Sequence, residues 1–262
     1  MTYFKKLSNY LYRVQPSPII VIGNQKSGTT AIASLLSSAS GEPSMLDVYC
    51  RLNYELELRV LKKELSFKHF VRMNRKMFNR KIIKEPGFTF QTDQIIQCFP
   101  DAKYVFVLRD PRDNIRSILN RLNLPGNQPQ LTQEQFENLP NILWEIVLEG
   151  ELFGTQGSNY IETLALRWKR ALEIYEQFSH QIELVQYETF LEDKEKTIIS
   201  LAQKLDLPVR HDIKDSIDIQ FQPKGDHTVS WSDFFGPENL LRIETICGRK
   251  MQSYQYDPTL IP

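Results

Sequence analysis

The chain has 262 residues, enough for one large α/β domain or two small ones. Hydrophobic residues make up 41% and charged residues 24%, which excludes a disordered or fibrous chain. Lys plus Arg and Asp plus Glu stand at 32 each, so no global field draws nucleic acid or an anionic membrane, and any anion recognition must come from locally placed groups.

Residues Met1 to Gln15 carry Lys5, Lys6 and Arg13 but no continuous apolar core, unlike a secretory signal. Phe4, Leu7 and Leu11 fit one face of a short amphipathic helix, with packing or membrane contact both open. No apolar run is long enough to span a membrane, and a cytoplasmic protein is expected. Residues 19–22, Ile-Ile-Val-Ile between Pro18 and Gly23, read as a buried parallel strand. Beyond the turn that follows, Ile32, Leu35 and Leu36 continue at helical spacing. Lys81 to Lys84 is a second short strand, stopped by Pro86, and residues 103–108 (Lys-Tyr-Val-Phe-Val-Leu) are a strong central one. Ile115, Ile118, Leu119 and Leu122 then predict a helix.

Residues 123–158 break this rhythm. Pro125, Gly126, Pro129, Pro140, Gly150, Gly154 and Gly157 punctuate a stretch that still holds Trp144, Ile146, Leu148 and Phe153. It reads as an insertion of short helices on the substrate side of one domain spanning 1–262, since a linker would be more polar. A helix near 160–178, a strand at 182–187, a helix near 194–205 and a final helix near 237–252 complete the chain. Alternation of this kind implies one parallel sheet covered on both faces. Cys50, Cys98 and Cys247 lack the pairing of a zinc site or disulfide framework and read as buried free thiols.

The turn Gly23-Asn24-Gln25-Lys26-Ser27-Gly28-Thr29-Thr30 lies between a strand and a helix. Amides at such a helix start point outward, and the helix dipole adds positive potential. Gly28 lets the backbone close on a phosphate, while Lys26, Ser27, Thr29 and Thr30 offer a charge and three hydroxyls. Gly23 and Gly28 have the separation of G-x-x-x-x-G-K-[ST], but Thr29 holds the lysine position and the lysine stands earlier, at Lys26. That displacement, with Arg109 rather than an acid ending the central strand, argues against a magnesium-dependent kinase or ATPase. The bland alternative is a strand–turn–helix whose glycines serve packing alone.

Gln25-Lys26-Ser27-Gly28-Thr29-Thr30 resembles the 5′-phosphosulfate loop of the sulfotransferase family. The resemblance implies a three-layer α/β sandwich with a central parallel sheet, like the P-loop-containing nucleoside triphosphate hydrolases. It further implies 3′-phosphoadenosine-5′-phosphosulfate as sulfuryl donor, adenosine 3′,5′-bisphosphate as product, and no metal. Lys26 would then touch the bridging oxygen of the departing nucleotide, beside Gln25, Ser27, Gly28, Thr29 and Thr30. Residues 109–117, with Ser117 eight residues after Arg109, are similar to the family's 3′-phosphate segment, in which Arg109 and Ser117 would clasp that phosphate. A strand-end arginine with a hydroxyl suits a phosphate monoester. By itself Arg109 reads as paired with Asp110 or Asp113, and Arg112 and Arg116 as solvated helix positions.

Fainter likenesses extend to about residue 256. Trp168 and Val185-Gln186-Tyr187-Glu188 resemble a family helix and strand end, with Tyr187 structural. Lys224 and Gly225 are what remains of an Arg-Lys-Gly that closes on the 3′-phosphate in relatives. Lys84 matches a strand-end lysine near the transferred group; an ion pair with Glu85 is its alternative reading. The histidine that some relatives place two residues later is Pro86 here. The general base is left among Glu42, Asp47, Glu55, Glu57, Glu85 and His227, with Glu55 favoured. Tyr49, Tyr54, Phe136, Trp144 and Phe153 are candidates for lining the acceptor site, with core packing as the alternative for each. The acceptor expected is a hydroxyl, or second an amine, of a carbohydrate, glycolipid or small molecule, with no nucleic acid and no integral membrane segment involved. A kinase with a degenerate loop, or a nucleotide-binding module without turnover, are the rival readings.

Overall fold

The computed structural model describes residues 9, 11–52, 54–219 and 229–259, with the backbone alone for 54 and 55. In chain order the elements are β1 (Ile19–Gly23), α1 (Thr29–Ser40), β2 (Ser44–Leu46), α2 (Tyr54–Leu61), α3 (Phe67–Met73), β3 (Ile82–Lys84), α4 (Thr92–Cys98) and β4 (Lys103–Leu108). There follow α5 (Pro111–Leu122), α6 (Gln133–Glu137), α7 (Ile142–Glu149), α8 (Tyr160–Gln177), β5 (Ile182–Gln186), α9 (Tyr187–Glu192), α10 (Lys194–Lys204) and α11 (Trp231–Ser253). They fall into two compact units. One comprises described parts of residues 1–23, 28–107 and 178–221, the other those of 24–27, 108–177 and 222–262.

The first unit is built on a five-stranded sheet in the order β2-β3-β1-β4-β5. β1 pairs in parallel with β3 (Val21 opposite Lys84) and with β4 (Gly23 opposite Val107), and β2 pairs in parallel with β3. Connections from β1 run towards β2 while those from β4 run towards β5, so the chain switches direction between the two central strands. Ligands in open α/β sheets bind at such a switch, outside the carboxyl ends of the strands.

Both faces of this sheet are buried, as the unbroken apolar runs require. Ile19, Val21, Val105 and Val107 pack on Ile32, Leu35 and Leu36 of α1 and on Ile198, Leu201 and Ala202 of α10. The alternate side chains Ile20, Ile22, Ile83 and Phe106 are equally buried. On that side the 3-10 turn Pro86–Gln91 packs against β1, and the Tyr104 hydroxyl donates to the Phe99 carbonyl at 2.9 Å. A knot of rings fills the layer, with Phe78 within 6.2 Å of Phe67, Phe70, Phe88 and Phe99, centroid to centroid.

The second unit is helical. α8 packs along α11 and also against α5, burying Leu164, Trp168, Leu172, Ile115, Ile118, Ile243 and Met251. α11 is broken at Gly236 (φ 68°, ψ 163°), and Pro237 starts the longer part, so the helix expected near 237–252 has a short N-terminal extension across a kink. The 123–158 stretch carries α6, α7 and the 3-10 turn Glu151–Phe153. Strand β5 stops at Gln186, and Tyr187 opens a helix instead of ending the strand as expected. The thiols correct another expectation: Cys247 is buried, Cys98 half-buried and Cys50 exposed.

Phe78 is fully buried among rings that cannot collapse onto a void. Phe78→Ala is expected to lower unfolding free energy by about 3–5 kcal/mol, read as a lower urea midpoint with an unchanged slope.

Candidate functional site

Gly23 closes β1 with φ 145°, and a Cβ there would lie 2.5 Å from the Val107 carbonyl oxygen of β4. Left-handed backbone recurs at Lys26 (φ 68°) and Gly28 (φ 96°). For lysine that geometry costs on the order of 1–2 kcal/mol, so its surroundings must hold it. Gly28 is the N-cap of α1; no side chain caps this helix start and its first turn contains no acid. The amides there and the positive end of the dipole are therefore left for an anion. The Tyr187 ring packs over Gly28, where an added Cβ would come 2.2 Å from its Cδ2.

Within the second unit, residues 24–27 are gripped from α5, α8 and the end of β4. Asn114 of α5, wholly buried, accepts from Asn24 Nδ2 at 2.9 Å and donates to the Gln25 carbonyl at 2.8 Å and to Ser27 Oγ at 3.2 Å. Arg167 of α8, also wholly buried, directs Nη2 and Nε to Gln25 Oε1 at 2.8 and 3.3 Å, and its guanidinium stacks 4.0 Å over the Phe153 ring. Arg109 Nη1 donates to the Lys26 carbonyl at 3.0 Å, while the Arg109 carbonyl accepts from Trp168 Nε1 at 2.8 Å. Trp168 therefore fixes the backbone from which Arg109 reaches the loop.

The neighbouring arginines are not solvated, contrary to expectation. Arg112 and Arg116 are 2% and 6% exposed. Asp110 takes Arg112 at 2.7 Å and Glu244 takes it at 3.0 Å, with the Trp231 ring 3.9 Å away. Burial disfavours the Arg112 charge, but Asp110 and then Glu244 outweigh it and hold the guanidinium above its ordinary pKa. Asp113 pairs with Arg116 at 2.6 Å. Asp110 and Asp113, weighed as partners of Arg109, pair with Arg112 and Arg116 respectively.

Lys84, at the carboxyl end of β3 in the first unit, is 3% exposed and its Nζ is ion-paired with Asp47. Its direct partner is Asp47, not Glu85. Asp47 follows β2 in left-handed backbone (φ 56°), and its amide donates to the Lys84 carbonyl at 2.9 Å. Glu85 is occupied otherwise, with Oε2 accepting the Tyr49 amide at 2.9 Å and Oε1 the Gly87 amide at 3.0 Å. Burial is the main cause of its raised pKa, offset by Lys84 and these amides. Burial, then Glu57 and Glu85, raise the Tyr49 phenol well above its usual value. Although Cys50 is exposed as a residue, partial desolvation of its thiol, then Glu85, Asp47 and Glu57, push it up to about 11. Such a thiol is not a nucleophile near neutrality.

The residues selected from sequence divide accordingly. Ser27 and Thr29 are 1% and 3% exposed and turn inward, whereas Gln25, Lys26, Gly28 and Thr30 are half-buried. Arg109 is 9% exposed, and Ser117 is half-buried in the second turn of α5. Glu55 lies on α2, but its side chain is outside the description, and Lys224, Gly225 and His227 lie outside the described residues. Glu42 sits past the far end of α1, about 18 Å along the axis from the loop, paired with Arg210 at 3.0 Å, which removes it as a base. Tyr49 is 1% exposed with its hydroxyl on Gln91, so it is core and not acceptor lining. Phe136, Trp144 and Phe153 are half-buried.

Sequence reasoning passed over Asn24, Asn114 and Arg167. The signal was present: Asn114 sits one turn before Ile118, and Arg167 falls between Leu164 and Ala171 on a buried stripe. A polar residue at an apolar position must be satisfied from within.

A family model described as sulfotransferase family matches residues 51–212, well over half the chain. That span takes in Lys84, Arg109 and Ser117 but begins after the loop. The fold is similar to sulfotransferase STF9 from Mycobacterium avium (13% identity, TM-score 0.58, 95% of this chain and 79% of that one). It is also similar to mouse sulfotransferase SULT7A1 complexed with PAP (13%, 0.55, 94% and 89%). A third likeness is to the sulfotransferase domain from the curacin biosynthetic pathway (12%, 0.53, 94% and 100%). A comparison with curated proteins finds no match.

Gly28→Ala is expected to destabilise the chain by more than about 1 kcal/mol, through the left-handed backbone and the clash with Tyr187. Introduced into a Tyr187→Leu background it should cost measurably less, read from urea midpoints of all four proteins.

Proposed function

Because the chain belongs to the sulfotransferase family and is an enzyme of that class, we propose that it moves a sulfuryl group from 3′-phosphoadenosine-5′-phosphosulfate to an acceptor hydroxyl on a carbohydrate, glycolipid or small molecule. The observation that carries the donor assignment is the hydrogen bond from Arg109 to the Lys26 carbonyl. It gathers on one loop the two basic residues that the phosphate motifs select. A nucleotide phosphorylated at both its 3′ and 5′ positions suits that pairing. The uncapped start of α1 suits its 5′ end, and Gly28 leaves room that a side chain would fill. The PAP complex of the mouse sulfotransferase supports the same ligand class.

The donor supplies the sulfuryl group. Lys26 and the first amides of α1 hold the 5′ end, and the Lys26 ammonium neutralises charge at the leaving phosphate. Arg109 and Ser117 hold the 3′-phosphate, to which the family resemblance also assigns Lys224 and Gly225. Gln25 serves mainly through its backbone, its side-chain carbonyl being engaged by Arg167. Lys84 contributes positive charge at the strand end, oriented by Asp47.

Among the acids whose side chains are described, Asp47 is the general base in this reading. Its side chain is 42% exposed, against 3% for the Lys84 it pairs with, so the carboxylate opens outward while the lysine behind it does not. Glu85 has both oxygens on backbone amides, and Glu57 is 6% exposed. Asp47 takes the proton of the acceptor hydroxyl as its oxygen attacks sulfur.

Titration calorimetry in EDTA is expected to show adenosine 3′,5′-bisphosphate binding without metal. Binding of ATP only with Mg²⁺ would favour a kinase instead. Asp47→Asn is expected to lower the rate of sulfate transfer to a responsive acceptor by about 10²–10⁴-fold while leaving nucleotide affinity within about twofold. An unchanged rate would remove Asp47 from the base role. Tight nucleotide binding with no transfer across sugars, glycolipids and phenols would favour the module without turnover.

A further inference from the structure

We propose that Asn114 and Arg167 are positioning residues for sulfuryl transfer, holding residues 24–27 in the shape that receives the donor. The inference rests on the donor assignment above and concerns residues that the phosphate motifs do not include. Both side chains are wholly buried, so neither is placed to meet a ligand directly. What they meet is the loop. Asn114 secures the Asn24 side chain, the Gln25 carbonyl and the Ser27 hydroxyl; Arg167 secures the Gln25 side chain. With Arg109 on the Lys26 carbonyl, four consecutive residues are each held by at least one side chain from outside the loop.

The grip falls on the stretch that needs it. Lys26 is a non-glycine residue in left-handed backbone, and a chain released there relaxes to other conformations. Relaxation would turn the Lys26 side chain and the following amides away from a common anion. A preorganised loop binds more tightly because ordering it costs nothing at the moment of binding. Polar bonds give this control where apolar packing would not, because a carbonyl or amide is satisfied in one orientation only. Arg167 also stacks on Phe153, at the end of the 3-10 turn between Gly150 and Gly154. That contact adds a second hold on the guanidinium besides its two bonds to Gln25.

The alternative is that these side chains simply satisfy one another in a core. The two roles separate in an experiment on the full-length protein, with adenosine 3′,5′-bisphosphate as the probe. Calorimetric affinity and the ligand-free thermal midpoint are measured for wild type, Asn114→Leu, Arg167→Met, Arg167→Lys, Gln25→Leu and Gln25→Leu/Arg167→Met. Positioning predicts that Asn114→Leu and Arg167→Met each weaken binding by the folded protein roughly tenfold or more. Arg167→Lys should stay weak, since it keeps the charge and loses the fork. Once Gln25→Leu has removed the acceptor, adding Arg167→Met should change affinity less than twofold, because Arg167 acts through Gln25.

Lower midpoints with wild-type affinity in the folded fraction would overturn the proposal and leave a purely structural role. Restoration by Arg167→Lys, or full additivity in the double variant, would overturn the route through Gln25. A wild-type protein that does not bind the nucleotide would instead overturn the donor assignment, and the positioning role with it.

Discussion

The turn between β1 and α1 must hold backbone in conformations the chain would not choose, and much of the surrounding structure serves that requirement. Lys26 and Gly28 are left-handed, and Gly23 lies too close to β4 for a side chain. What this geometry yields is a helix start without a capping side chain or an acid in its first turn. Among the described helices, Ser66, Asp110, Thr132, Asn141, Asp193 and Ser230 each cap one through a side-chain oxygen, while α4 and α9, like α1, start without such a cap. A cap of that kind is worth about 1 kcal/mol, and α1 forgoes it.

Charge is distributed to the same end. Asp110 caps α5 through the Arg112 amide and also takes the Arg112 guanidinium, and Glu244 completes that buried triad. Asp113 is shared by Arg116 and the Trp231 indole. The acids of the Arg-Asp-Pro-Arg-Asp segment are thereby engaged by the second and third arginines, while the first is turned to the Lys26 carbonyl. Buried triads of this type add little net stability, and fixing orientation is their better-supported use.

The central strands were legible because burial on both faces writes an unbroken β-branched run, as in Ile19–Ile22 and Lys103–Leu108. Helices with one apolar stripe, α5 and α8 among them, were legible for the analogous reason. β2 was not: three half-buried residues at a sheet edge carry no periodicity. The short helices α2, α3 and α4 likewise contain too few turns to set a pattern. In the loop, Gly23 and Gly28 were readable since positive φ and close approach of a neighbour dictate their type and spacing. Asn114 and Arg167 showed in the sequence only as polar residues on apolar stripes, and what identifies their role is a partner 89 or 142 residues away. The solvated reading of Arg112 failed on the same account: its acid Glu244 is 132 positions distant.

The same distinction explains why the donor side of the reaction is clearer than the acceptor side. A phosphate is recognised largely by main-chain amides and by strand-end cations, so its recognition is written as a local motif. A general base needs only a carboxylate at the right point, and many segments can deliver one. If Asp47 is that base, as proposed, its delivery depends on β2, whose last residue precedes it. The Asp47 amide continues the pairing to the Lys84 carbonyl while its left-handed turn brings the carboxylate onto the Lys84 ammonium. One main-chain bond and one ion pair therefore set acid and lysine together. The segment that looked least informative in the sequence, because it is short and aperiodic, is the one that orients them.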